Sequence, residues 1–103
     1  KNLTDHFLEE WFWRPAAVAS YSAGRLAGVR ANLAWHGTLS EMGMVVIPST
    51  VAVGPVVKTL DENGAPIGEA GRALGRAFGR FADDLGWWTG AAKRQRAHIP
   101  PPY

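Results

Sequence analysis

Apolar positions recur at helical spacing in residues 1–12, KNLTDHFLEEWF, where Leu3, Phe7, Leu8 and Trp11 predict an opening helix. Trp13-Arg14-Pro15 ends it, because proline disfavours the helical region for the residue before it. The next run, AAVASY over 16–21, is short, small and apolar, the pattern of a strand buried on both faces of a parallel sheet. A helix is then predicted from Arg25 to Met42. It carries two stripes, Leu26-Val29-Leu33 and Ala31-Trp35-Leu39-Met42, which together cover more than half its circumference. Such a helix packs against two surfaces, its own sheet and a partner subunit. Gly43 suits a left-handed C-cap, and MVVIP reads as a second buried strand ended by Pro48. Strand, helix and strand with short connections predict the right-handed crossover of a parallel sheet.

The pattern loosens over residues 49–68. STVAVGPVV is apolar and extended, and LDENGAPIG contains an Asn-Gly turn, so a small hairpin leaving the sheet is expected there. A long helix follows from Gly68 to Arg96, with Ala70, Leu74, Ala77, Phe78, Phe81, Leu85, Trp88 and Ala92 on one apolar stripe. Within it GRALGRAFGRFA sets Gly71, Gly75 and Gly79 in register, each costing about 1 kcal/mol against alanine. Close backbone approach would offset that cost; compositional drift is the alternative. The domain is expected to span residues 1–97, and the proline-rich tail 98–103 to be extended.

Composition narrows the classes. With 47% hydrophobic and 19% charged residues over 103 positions, the chain suits one globular domain or part of one. No run is long and apolar enough to span a membrane, and no secretory signal pattern opens the chain, so a cytoplasmic location is expected. Cysteine is absent, which removes disulfides, thiolate catalysis and cysteine-bound metal. A net charge of +2 raises the question of nucleic acid. However, Arg72, Arg76 and Arg80 fall four apart, as on a solvated helix face, and no nucleic-acid motif is present. Neither nucleic acid nor membrane is expected as a partner. The chain opens on KNLTD without methionine, which suggests a processed or partial chain.

Catalytic constellations are missing. His6, His36 and His98 lie far apart with no ligand at a useful spacing, so no metal site is expected; His36 reads as a partly buried, hydrogen-bonded histidine. Glu9-Glu10, Asp61-Glu62 and Asp83-Asp84 are sequence neighbours, which point in different directions on a helix and make no acid–base dyad. Asp83 and Asp84 are expected to pair with the arginine stripe through Arg80. No serine has a nucleophile-elbow surrounding. Pro100-Pro101-Pro102-Tyr103 fits the Pro-Pro-x-Tyr pattern read by WW domains, or is a plain proline-rich end.

One stretch remains, SYSAGRLAG over 20–28, between the first strand and its helix. Open α/β sheets bind ligands outside the carboxyl ends of their strands. Ser20 and Ser22 can donate and accept, and Gly24 leaves backbone N–H groups exposed. It is neither a Walker loop nor GxGxxG, and the alternative is a plain tight βα turn.

Taken in order, apolar strand, Ser22-Ala23-Gly24-Arg25-Leu26-Ala27-Gly28-Val29-Arg30, amphipathic helix and MVV strand resemble the C-terminal half of NADPH-dependent FMN reductases. That family includes quinone, chromate and azo reductases. Lys1, Asn2 and Asp5 resemble the Leu-Lys-Asn-x-x-Asp segment after the family's Pro-Glu-Tyr-Asn flavin loop, and the likeness runs to about residue 90. The resemblance implies an α/β, flavodoxin-like parallel sheet with helices on both faces, of which this chain supplies the C-terminal α-β-α-β-α half. It implies that FMN phosphate and one side of the ring are held by loops upstream of Lys1. Ser22, Ala23 and Gly24 would line the flavin, with Ser20 and Tyr21 at the strand end beneath it, and Gly28 counts with them among the cofactor-binding residues. Ala27-Gly28 stands where the family usually has Gly-Gly, and Tyr21 replaces a smaller residue. The implied activity takes hydride from NADPH or NADH through FMN to a quinone or similar small-molecule acceptor. No side-chain acid or base is needed for it. A homodimer or homotetramer is implied, with Arg30 either at its interface or simply exposed. The alternative is a flavodoxin-like interaction module, or an inactive fragment, that has lost flavin.

Overall fold

The computed structural model describes residues 3–103; Lys1 and Asn2, and the resemblance they carry, lie outside it. Two parallel strands form its sheet: β1, Pro15–Tyr21, and β2, Val45–Val53. The helix α1, Val29–Glu41, crosses between them. After β2 come a single helical turn, α2, Val56–Thr59, and a long helix, α3, Gly68–His98. The helix α1 packs on both strands, and α3 packs mainly on β2. The strand-helix-strand crossover predicted from the pattern is therefore present, and the arrangement is α/β.

The opening segment departs from its periodicity. In place of one helix there are two 3-10 turns, Thr4–His6 and Glu9–Trp11. Leu3, Phe7 and Leu8 are exposed, so no apolar face is buried that would hold a helix together. The Trp11 indole N–H instead donates to the Thr4 carbonyl at 3.3 Å, and the Phe7 and Trp11 rings meet edge to face at 5.9 Å. The Trp13 break falls where expected, with φ at 59°.

Nor does Pro48 end the second strand. Ala16 pairs with Val46 and Val18 with Thr50, so Ala17 alone faces Ile47, Pro48 and Ser49. This bulge absorbs the proline, which has no N–H to give to a ladder, and pairing resumes as far as Val53. The core sits here: Ala16, Val18, Ala27, Ile47 and Val51 are buried, and Ile47 is enclosed most completely.

Three further differences follow from packing. Residues 22–28 form a turn, and α1 begins four positions later than predicted because Ala27 and Gly28 take positive φ values of 50° and 73°. Of the two apolar stripes on α1, only one side is covered. Asn32 is buried and His36 and Leu39 are half-buried, while Leu26, Val29 and Leu33 are exposed. On α3, Gly71, Leu74, Phe81 and Leu85 turn inward, but Ala70, Ala77 and Phe78 do not. Close approach explains Gly71, where a methyl would lie 2.7 Å from the Pro66 carbonyl carbon; Gly75 and Gly79 have nothing within 4 Å.

The hairpin at 60–66 is reduced to one bridge, Leu60 with Pro66, around Gly64 at φ 81°. The ion pairs among the described residues join Arg72 and Arg76 to Glu69, at 2.9 and 3.2 Å, and Asp83 and Asp84 pair with none of the arginines. After α3 the tail folds back, and Tyr103 packs its ring on Phe12 at 5.4 Å and on Trp13 at 5.1 Å. No helix of the described residues is long and apolar enough to cross a membrane, and no three metal-ligating side chains converge.

Candidate functional site

The carboxyl ends of β1 and β2 are tied together by their loops. Ser22 N–H donates to the Val53 carbonyl and Val56 N–H to the Ser22 carbonyl, both at 3.0 Å. Between these loops Gly54 leaves no room for a side chain: a methyl there would lie 2.6 Å from Ala27 Cα and 2.8 Å from the Gly24 carbonyl oxygen. Gly28 is similarly confined, since its methyl would lie 3.0 Å from the Tyr21 carbonyl oxygen. Its positive φ adds a second reason for glycine.

The two serines are spent on this scaffold. Ser20 Oγ donates to the Ala27 carbonyl at 2.8 Å and accepts from Asn32 Nδ2 at 3.4 Å. Ser22 Oγ donates to the Gly24 carbonyl at 2.9 Å. Both hydroxyl protons therefore hold the turn in shape. Asn32 falls in neither apolar stripe of α1, and nothing in the pattern marks it as a site residue. It is buried at 4% exposure beneath the turn, and its backbone N–H donates to the Gly28 carbonyl at 3.0 Å.

The turn keeps several backbone donors unspent. Within it Ala27 N–H donates to Gly24 and Val29 N–H to Leu26, which leaves the N–H groups of Ala23, Gly24, Arg25 and Leu26 without a protein acceptor. Ala23, Gly24 and Arg25 are exposed, and the nearest atom to a methyl on Gly24 would be Ser22 Oγ at 3.8 Å. Tyr21 is exposed at the strand end, so it is free to lie beside anything that meets the turn. Of the six residues expected at a flavin, Tyr21, Ala23 and Gly24 lie on this open side. Ser20, Ser22 and Gly28 form the support behind it.

A family model for NADPH-dependent FMN reductase matches residues 1–58, more than half of the chain. The chain belongs to this family. The matched stretch runs from the opening 3-10 turns through β1, the 22–28 turn, α1 and β2 into α2, and the parallel α/β arrangement is of the flavodoxin-like class. No curated protein and no solved structure matches the chain.

The residues present suit one side of FMN. A flat ring needs a surface without projecting side chains, and Ala23-Gly24 is one. Its carbonyl and ring nitrogen edge needs donors, and four unclaimed N–H groups stand there. His36 lies apart on α1 with a buried Nε2 that has no hydrogen-bond partner, contrary to the bonded histidine expected. Arg30 is exposed on the same helix.

Proposed function

We propose that this chain forms the ring-side wall of an FMN site in an NAD(P)H-dependent oxidoreductase that passes electrons to a quinone or similar small acceptor. The observation that carries this reading is the row of unclaimed N–H groups from Ala23 to Leu26 at the carboxyl end of the sheet, inside the family-matched segment. When bound, FMN supplies the two-electron transfer between nicotinamide and acceptor, so a site of this kind needs no side-chain acid or base. The chain's own residues bind and orient. Ala23 and Gly24 admit a planar surface to van der Waals distance. The N–H groups donate hydrogen bonds to an electron-rich edge and favour negative charge there. Ser20, Ser22 and Asn32 hold the donors in place, which preserves their direction when charge accumulates.

The apolar side of α1 supports a homo-oligomer as the working form, because Leu26, Val29 and Leu33 stand exposed beside the turn. The contrary reading, an interaction module without flavin, predicts the same exposed stripe but no response to FMN.

Gly24→Val separates the two. Nothing in the fold lies near enough to oppose the side chain, so the melting temperature should hold while FMN affinity, measured by quenching of flavin fluorescence, falls at least about tenfold. An unchanged affinity, or no binding by either protein up to millimolar FMN, refutes the proposal.

A further inference from the structure

The opposite ends of the strands hold a cavity. A groove of about 510 Å³ runs between β1 and β2 at Pro15 and Val45 and the last turns of α3. Trp13 and Trp88 form aromatic walls, and Pro100–Pro102 close one side. It lies a full strand length, roughly 20 Å at 3.3 Å per residue, from the 22–28 turn. Its size is that of a pocket for a small organic molecule.

One charged group breaks its apolar lining. Arg96 is half-buried at the groove, and one guanidinium nitrogen, Nη1, donates to the Trp13 carbonyl at 3.3 Å. No carboxylate of the described residues lies within ion-pair distance of it, whereas Arg72 and Arg76 on the same helix both find Glu69. An arginine drawn partly out of water without a counter-ion is held at a cost, and its fork of donors matches a planar carboxylate. The bond to Trp13 also fixes where that fork sits. Trp13 itself is held at φ 59°, a conformation disfavoured for a bulky residue. From the tail, the Tyr103 ring packs against it at 5.1 Å.

We infer that this groove binds a planar aromatic carboxylate, its ring between Trp13, Trp88 and the proline tail and its carboxylate on Arg96. The inference does not depend on FMN, since it uses no residue of the 22–28 turn. Two aromatic walls select a flat apolar body, and the unpaired guanidinium selects the anion over a neutral molecule of the same shape.

The test titrates the 103-residue chain with 2-naphthoate and with the neutral 2-naphthalenemethanol, following tryptophan fluorescence. Saturable 1:1 binding of naphthoate is expected, at least about tenfold tighter than the alcohol, as one charge-assisted hydrogen bond implies. Arg96→Gln should remove that preference while leaving the alcohol's affinity unchanged, which also shows that the variant keeps its fold. Trp88→Ala should weaken both probes together. Equal affinity for the two probes, indifference to Arg96→Gln, binding of several naphthoates per chain, or a self-associated chain with the groove covered would each overturn the assignment.

Discussion

At the residue scale, the site is made by glycines whose reasons differ. Gly54 and Gly28 are fixed by neighbours: a methyl would meet Ala27 Cα at 2.6 Å in one case and the Tyr21 carbonyl at 3.0 Å in the other. Gly54→Ala should therefore destabilise the chain by about 3 kcal/mol, at the upper end for overpacking, because the opposing atoms are backbone and cannot swing aside. Gly28→Ala should lose about 1–2 kcal/mol, mostly from the left-handed backbone. Urea denaturation of each variant checks both values and their order. Gly24 belongs to neither group. It has space and no positive φ, so nothing within the fold requires glycine there. Ser20 falls between these cases, since its hydroxyl joins β1 to the turn through Ala27 and to α1 through Asn32. Ser20→Ala should lower stability by about 1 kcal/mol. It should lower FMN affinity as well, through the turn's shape and without loss of any direct contact.

At the scale of elements, the parallel strands and the long helix were legible because their patterns are strong and local. AAVA runs without a polar residue as far as Ser20, and the three-and-four spacing after Gly68 persists for many turns. What failed to show was set by contacts distant in sequence. Four aromatic and leucine positions between 3 and 11 mimic a helix, yet Leu3, Phe7 and Leu8 stay exposed, so only 3-10 turns form. Pro48 is a stop signal only in a regular ladder, and a bulge removes that condition. The turn between β1 and α1 was readable in place, but not the roles of its side chains. The serines appeared as ligands because their type allows it, and only the structure shows both hydroxyl protons consumed within the turn. The glycine repeat of α3 separates in the same way. Gly71 abuts Pro66, while Gly75 and Gly79 face open space. Gly75→Ala and Gly79→Ala should each stabilise the chain by about 1 kcal/mol, seen as additive rises in melting temperature. A loss of stability at either would reveal a close neighbour for that ridge. On α1, Leu26, Val29 and Leu33 stand 60%, 43% and 67% exposed on one side. Leu33→Glu should weaken self-association at least about tenfold in sedimentation velocity, since a charge would then enter an apolar contact.

For the whole molecule, shape and core together limit what these 103 residues do alone. The longest dimension, 46 Å, is the length of α3 itself at 1.5 Å per residue. The radius of gyration is 15.8 Å, against about 13 Å for a compact domain of this length. Few side chains are enclosed, and the parallel sheet has two strands where such sheets draw stability from burial on both faces. Flavin binding follows the same limit. In the proposed site the unclaimed donors of Ala23 to Leu26 would reach only one edge of a ring, and ring contacts of that kind supply only part of the free energy of tight cofactor binding. The phosphate carries most of FMN's charge, and the turn's support uses up the nearby hydroxyls. These residues by themselves should therefore bind FMN no tighter than about 1 μM, equivalent to about 8.2 kcal/mol. Riboflavin, which has the ring without the phosphate, should bind nearly as well. Isothermal titration with both ligands measures the difference directly. A submicromolar FMN affinity with riboflavin far weaker would place a phosphate cradle within this chain and move the centre of the site away from the 22–28 turn.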